Sequence, residues 1–315
     1  MNILFLMDPL EKIQPKKDTT IAFMRGAKRK GHRTFYLPPG GITLDRGQFY
    51  FYVTEVVVEE ADTLPAFQTK PSCTLCSEEV DVIFIRTDPP FGNRYLMDTW
   101  LLDRLPKHIF ICNNPSGVRT VNEKIWVTQF LQWTPPTLIS CQKERLLEFV
   151  DHFTTCIAKP TDGFGGSGVF KLTKTDSNLG VILDTLSDRF SKEIILQPFI
   201  PEADLGDKRI LLLNGKPLGA VLRIHGDHDH RNNFFAGGSA QPAIITPHEE
   251  AMIAELSPHL LRLGLYFVGI DIIGTHLIEI NVTSPTCIQE MNKFGNVHLE
   301  DQVINFVENH SIKKS

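Results

Sequence analysis

Three observations predict an α/β fold, with a parallel unit first and mixed α+β lobes behind it. Short runs of branched apolar residues alternate with helical stretches over the first ~120 residues, as a parallel sheet with crossover helices requires. Near Asn122 the rhythm changes, and strand signals then follow one another closely. The composition, 42% hydrophobic and 22% charged, is that of an ordinary globular chain, and 315 residues suffice for two or three packed units.

The elements follow in order. Residues 2–7 read as a buried strand and 18–31 as the helix after it, closing on Gly31. A second strand at 34–37 is stopped by Pro-Pro-Gly-Gly at 38–41. Residues 49–58 are β-branched and aromatic and suit an extended ribbon. A buried strand at 80–86 precedes Asp88-Pro89-Pro90, and a helical stretch to about residue 105 with a strand at 108–112 completes the unit. Ligands of such sheets sit beyond the strand C-termini, here Asp8-Pro9 and Arg86 to Pro90.

Beyond residue 121 the pattern predicts a helix (122–131), a strand (137–140), a helix (142–153) and a strand (155–159). A glycine-rich loop, a strand (168–173) and a helix near 177–190 come next, then strands at 193–197, 207–213 and 216–224. Segment 225–240, rich in Gly, His, Asp and Asn, is longer than a connector needs and is expected to be a lid or binding loop. A helix (246–263), two strands (266–273 and 276–282) and a C-terminal helix end the chain.

A net charge of −5 gives no electrostatic reason to expect nucleic-acid binding. The N-terminus has neither a basic region nor a cleavage site, and no stretch approaches the ~20 apolar residues of a membrane helix. A cytoplasmic protein is expected. Cys73-Thr-Leu-Cys76 is half a zinc site at most, and incidental thiols in a polar connector are the favoured reading. His225, His228 and His230 lack a strand or helix to fix ligand geometry, so a transition-metal site is not favoured there.

Three constellations carry chemistry. In "FVGIDIIGTHLIEINVTSPT", alternation sends Glu279 and Asn281 to one strand face and Ile278, Ile280 and Val282 to the other. A three-residue turn at Gly274-Thr275-His276 would set Asp271 opposite Glu279; a two-residue turn would pair it with Ile278. Two carboxylates and a carboxamide on one face form an oxygen site suited to Mg²⁺, favoured over a solvated acidic face because the run is so apolar. In "KPTDGFGGSG" (159–168) the lysine precedes the glycines, and strand follows them, so neither a Walker loop nor a dinucleotide fingerprint fits. A flap between antiparallel strands, with Lys159 supplied by the first of them, explains that order; a hairpin with a salt-bridging lysine is equally consistent with the loop alone. Finally, Arg209 and Arg223 come close if their strands are antiparallel neighbours, and two adjacent guanidinium groups need an anion between them.

Taken together, these residues resemble a known family. Asn-Glu-Lys (122–124), Lys-Pro-x-Asp-Gly-x-Gly-Gly (159–166), Asp-Lys-Arg (207–209), Gly-x-Asp-Ile-Ile-Gly (269–274) and Glu-Ile-Asn-Val-Thr-Ser-Pro-Thr (279–286) resemble the ATP-grasp ligases, and among them the bacterial glutathione synthetases. "MDP" at 7–9, "KKD" at 16–18 and "DPPF" at 88–91 extend the likeness over nearly the whole chain. It implies an N-terminal α/β substrate domain (1–121), a small ATP-binding lobe (122–196) and a C-terminal lobe (197–315) with lid 225–240, ATP lying between the last two. It implies ATP-dependent ligation of γ-glutamylcysteine to glycine through an acyl phosphate, two Mg²⁺ ions (Mn²⁺ substituting) and a homotetramer.

By position, the resemblance gives ATP Lys124, Lys159, the flap Gly163, Gly165, Gly166, Ser167 and Gly168, the adenine wall Gln197, Phe199 and Ile200, and Asp207 for the ribose. It gives the metal Asp271, Glu279 and Asn281, and the transferring phosphoryl group Arg209 and Arg223. The substrates receive Asp8, Arg86, Asp88, Arg231, Gly237, Gly238, Asn281, Ser284 and Thr286. Two departures stand out: Arg231-Asn232-Asn233-Phe234 where the family has Arg-Gly-Asn-Leu, and Thr87 where it has lysine. A ligase for another carboxylate and amine, or a non-catalytic ATP-binding protein of the same fold, are the alternatives.

Overall fold

Strands buried on both faces of a parallel sheet read as unbroken apolar runs, and the first unit is built from them. The computed structural model describes residues 1–59, 66–224 and 239–311. β1 (Asn2–Met7) passes through α1 (Thr19–Arg29) to β2 (Arg33–Leu37), its parallel neighbour. α1 begins where the Asp18 carboxylate accepts the N–H groups of Thr20 (2.6 Å) and Ile21 (3.0 Å), satisfying two donors a helix start leaves open. β3 (Ile42–Asp45), β4 (Gln48–Val58), β5 (Phe67–Thr69) and β6 (Cys73–Cys76) form an antiparallel ribbon around β4, which joins β2. Cys73 and Cys76 therefore belong to a strand rather than a connector, and all six cysteines are free thiols. β7 (Val82–Arg86), α2 (Asn93–Leu102) and β8 (Phe110–Cys112) complete the sheet, with β7 parallel to both β1 and β8.

The expected helix at 122–131 is absent. α3 (Pro115–Thr120) ends before it, and only a 3-10 turn (Trp126–Gln129) forms. The Asn122 side chain accepts the N–H groups of Lys124 and Ile125, both at 3.0 Å, making a local turn. The Glu123 and Trp133 carbonyls accept Ile280 N–H (3.0 Å) and Leu277 N–H (2.7 Å), so tertiary bonds take what a helix would need.

The central lobe is a four-stranded antiparallel sheet of β9 (Leu138–Ser140), β10 (Thr155–Pro160), β11 (Phe170–Thr173) and β12 (Ile194–Pro198), in the order β11-β10-β12-β9. α4 (Lys143–Phe153) and α5 (Leu179–Leu186) bury Leu146, Val150 and Leu183 against Cys156, Ala158, Leu172 and Leu196. α5 stops short of the expected residue 190 because Asp188, Arg189 and Phe190 take positive φ.

The last lobe holds β13 (Asp207–Leu213), β14 (Lys216–Ile224), β15 (Ser239–Pro242), α6 (Pro247–Arg262), β16 (Phe267–Ile273) and β17 (His276–Asn281). Its sheet order is β15-β14-β13-β16-β17, all antiparallel. The chain then forms two helices where one was expected, α7 (Ile288–Gly295) and α8 (Leu299–Ser311), separated by Asn296 in the left-handed region. α8 returns to the first unit: Val303, Ile304 and Val307 share a core with Ile3, Phe5, Phe23 and Met24. Arg29 on α1 reaches Glu300 (2.5 Å) and Asp301 (2.6 Å) on α8.

Asn113 stitches the first unit to the last. Its amide donates to the carbonyls of Phe267 and Val282, and its oxygen accepts the N–H groups of Tyr266 and Phe267, all four bonds at 2.8 Å.

Candidate active site

The metal-strand prediction succeeds in its pairing and fails in its turn. Asp271 lies opposite Glu279, with Gly269 opposite Asn281, so the three polar side chains share one face. Yet the turn has two residues, since Ile273 pairs with His276 and Ile272 with Leu277. A β-bulge between Asp271 and Ile272 takes up the extra residue, Ile278, and restores the match.

A cavity of about 280 Å³ opens between this face and the central lobe. Lys124 and Lys159, the loop from Gly163 to Ser167, Gln197, Phe199 and Ile200 lie on its wall, with Asp207, Arg209, Arg223, Asp271, Glu279 and Asn281. Asp88, Ser284 and Thr286 line it as well. Of the expected residues, Gly168, Asp8 and Arg86 lie off the wall, while Arg231, Gly237, Gly238 and His225 to His230 fall outside the described residues. Asp8 stands one layer back, its carboxylate accepting the Asp88 N–H at 2.8 Å. Arg86 is buried between Phe23 and Phe267, bonded to the Thr20 hydroxyl at 3.2 Å.

The glycine loop is a hairpin connection, as its order of residues predicts. β10 and β11 pair antiparallel from Thr155↔Thr173 to Ala158↔Phe170, and Lys159 follows the last pair. Gly165, Gly166 and Gly168 have φ of 62°, 74° and 73°, values costly for any residue with a Cβ. No helix begins at Gly166.

The two lysines differ. Lys124 bonds the Gly163 carbonyl of the loop and pairs with Glu279 at 2.7 Å. Burial opposes its charge, but Glu279, Glu123 and Asp271 together outweigh burial and hold it above the ordinary lysine range. Lys159, without an ion-pair partner among the described residues, is brought down to about 8 by burial, and Lys124 adds to the effect against the pull of Glu279.

The anion required between the two arginines is Asp271. Arg209 binds it bidentately, one bond being 2.8 Å, and Arg223 reaches it at 3.0 Å. Arg223 also makes a two-pronged contact with Asp207, one bond at 2.9 Å, across the register pair Asp207↔Arg223. Asp207 is thus engaged with an arginine, a pairing the sequence did not indicate. Burial alone would raise Asp271, but the two guanidinium groups hold it well below the usual carboxylate range. Burial raises Asp207 and Asp88, opposed by Arg223 at the first and by Ser284 and Arg86 at the second. Sequence reasoning missed Glu123 on the cavity wall, whose partners lie 159 and 160 residues away.

An antiparallel lobe and an antiparallel-sheet lobe enclosing a cavity of lysines, a glycine flap and facing carboxylates define an ATP-grasp fold, and solved structures agree. D-cycloserine synthetase superposes with a TM-score of 0.67 at 14% identity, covering 97% of this chain and 99% of that one. The macrocyclase MdnC from Microcystis aeruginosa gives 0.65 at 16%, covering 98% and 100%. A RimK domain ATP-grasp protein from Sphaerobacter thermophilus gives 0.63 at 12%, covering 97% and 99%.

Sequence narrows the class. The N-terminal domain of prokaryotic glutathione synthetase matches residues 1–119 and its ATP-grasp domain matches 123–296. Glutathione synthetases from Synechocystis sp. (36% identical, 98% of this chain and 99% of that one), Pseudomonas aeruginosa (36%, 96% and 96%) and Xanthomonas axonopodis pv. citri (38%, 94% and 94%) are similar over nearly full length. The chain belongs to the prokaryotic glutathione synthetase family, and it is an ATP-dependent ligase.

Proposed function

We propose that this cavity joins γ-glutamylcysteine to glycine with ATP cleaved to ADP and phosphate, and that its residues divide the work as follows. Lys124 and Lys159 face the ATP phosphates, and the loop from Gly163 to Gly168 covers them with backbone N–H groups. Gln197, Phe199 and Ile200 line the adenine, and Asp207 stands toward the ribose. The observation that carries this reading is the convergence, on one cavity, of both lysines, the flap and the Asp271, Glu279 and Asn281 face.

That face fits a hard divalent cation by its donor chemistry, two carboxylates and a carboxamide oxygen. Such an ion takes about six oxygens and is usually held by one or two carboxylates with nucleotide phosphates, so the carboxamide and the nucleotide's own oxygens would complete the set. Asp271, Glu279 and Asn281 would hold Mg²⁺, two ions or Mn²⁺ in their place, and the metal would offset charge on the phosphates.

The chemistry explains why the arginines are held so firmly. A carboxylate does not lose oxide to an amine, so its oxygen first takes the γ-phosphoryl group. The O–P bond to that carboxylate forms as the bond to ADP breaks. Arg209 and Arg223, fixed beforehand by Asp271 and Asp207, offset charge on the phosphoryl oxygens without reorganising. The glycine amine then attacks the acyl carbon, phosphate leaves, and the amine proton passes to solvent or phosphate. Asp88, Ser284, Thr286 and Asn281 position the carboxylate substrate, with Asp8 and Arg86 behind them, and Arg231, Gly237 and Gly238 are assigned to the same substrate by their place in the sequence. The acyl phosphate has to be kept from water, which would hydrolyse it.

Residue roles, a homotetrameric assembly and a cytoplasmic setting are parts of this proposal. Among the described residues no helix is long and apolar enough to cross a membrane. Phosphate release is measured with ATP, Mg²⁺ and each acceptor pair. Turnover that needs both γ-glutamylcysteine and glycine supports the reading; release with neither, or with other amino acids only, overturns it. Light scattering of the purified protein decides the assembly.

A further inference from the structure

Glu123 has more polar contacts than a wall residue needs, and they share one direction. Its Oε1 accepts the N–H of Val282 (2.8 Å), the N–H of Thr283 (3.0 Å) and the Thr283 hydroxyl (2.8 Å). Its backbone carbonyl accepts Ile280 N–H at 3.0 Å. One residue therefore makes four hydrogen bonds to the short segment 280–283. That segment leaves the strand of Glu279 and Asn281 and leads to Ser284, which lines the cavity together with Asp88 of the first unit.

The neighbours of Glu123 reach the opposite wall. Asn122 donates to the Thr161 carbonyl at the foot of the flap (3.1 Å), and Lys124 bonds Gly163 in the flap and Glu279 on β17. Three consecutive side chains thus tie the flap, the metal strand and the turn after it into one unit.

We propose that Glu123 is a positioning residue for the dipeptide substrate, fixing the 282–284 turn in register with Lys124 so that the carboxylate meets the γ-phosphate. It acts through Thr283 and Ser284 and takes no part in bond making. The inference rests on the ligase reading above. The ATP wall of Lys159, Gln197, Phe199 and Ile200 makes no hydrogen bond to Glu123, so loss of the carboxylate falls on one substrate.

The test is steady-state kinetics of wild type, Glu123→Ala, Glu123→Gln and Thr283→Val, varying ATP and γ-glutamylcysteine separately, with melting temperature followed with and without ADP. Small misplacements of a reacting group cost about 10- to 100-fold. Glu123→Ala is expected to raise KM for γ-glutamylcysteine about tenfold or more while KM for ATP stays within about threefold. Glutamine keeps an acceptor oxygen, so Glu123→Gln restores the wild-type value within about fivefold, and Thr283→Val gives the same selective rise at about threefold. ADP raising the melting temperature of Glu123→Ala as it does for wild type shows the site is folded. Glutamine as impaired as alanine overturns the inference, because the charge would then be acting directly. Equal rises in both KM values, or a lowered melting temperature with unchanged kinetics, also overturn it. Should Glu123→Ala not fold, Thr283→Val decides: a selective rise supports the inference and no change sinks it. Wild-type turnover with a different acceptor pair alone would instead sink the γ-glutamylcysteine and glycine reading.

Discussion

Two β-hairpins meet across the cavity, and they are built on opposite principles. The β16–β17 hairpin is an apolar run with a two-residue turn; Val268, Ile270, Ile272 and Ile280 are fully or almost fully buried. Its two carboxylates, Asp271 and Glu279, are ion-paired, and Asn113 anchors it to the first unit with four hydrogen bonds. The β10–β11 hairpin has four residue pairs, three positive-φ glycines in its connection, and exposed Phe164 and Phe170. It meets the other hairpin's side through Asn122 and Lys124. The difference teaches that charge placement is assigned to the rigid hairpin and nucleotide coverage to the loosely held one. Preorganised charges work only if they do not move, whereas a phosphate cover must admit its ligand.

The largest effect should come from removing the charge at the centre of the rigid hairpin. Asp271→Asn leaves Arg209 and Arg223 buried without their shared anion, a loss of about 3–5 kcal/mol of stability. Turnover is expected to fall about 1000-fold or more, read by phosphate release and thermal unfolding. Near-wild-type melting would mean the hairpin is not held electrostatically. Next is Asn113→Ala, which strips four bonds from the buried joint and should cost about 3 kcal/mol in denaturant unfolding. A loss under 1 kcal/mol would break the claim that this hairpin is anchored from outside.

The flap side is sharpened by pH. Lys159 must be charged to face phosphate, and its pKa near 8 lies below that of a free lysine. As pH rises through 8 the ammonium loses its proton, so KM for ATP should climb about tenfold per pH unit above that point. Lys159→Arg stays charged and should flatten the profile; a profile unchanged by it would remove Lys159 from the phosphate site. The smallest effect is Gly168→Ala. Its φ of +73° and a Cβ 3.2 Å from Pro160 Cδ predict about 1–2 kcal/mol of local strain. It should appear as weaker ATP binding in calorimetry, with the melting temperature moving by only a few degrees.

The rigid hairpin was the more legible of the two, because alternation along Glu279, Ile280 and Asn281 depends on the strand alone. Its turn was misread because a bulge leaves no mark in composition. The flap was legible through the order of lysine and glycines. Residues 122–131 were misread as helix because part of what prevents one, the bond of the Glu123 carbonyl to Ile280, comes from a strand some 150 residues away. Asp207 as a partner of Arg223, and Glu123 as an anchor, were hidden for the same reason: each depends on a register that only the folded sheet supplies.

The return of α8 to the first unit has a consequence for how the molecule is made. Arg29 and Glu300 are 271 positions apart, yet they close one core with Phe5, Phe23, Val303 and Val307. During synthesis the opening sheet emerges early and waits, one side bare, while the 271 positions between Arg29 and Glu300 are made. Its final partner arrives only after both nucleotide lobes have left the ribosome. Long-range closure of this kind is slow and leaves apolar surface exposed meanwhile. A ribosome stalled short of α8 should therefore display a chain that chaperones hold, even with its ATP-binding lobes already formed.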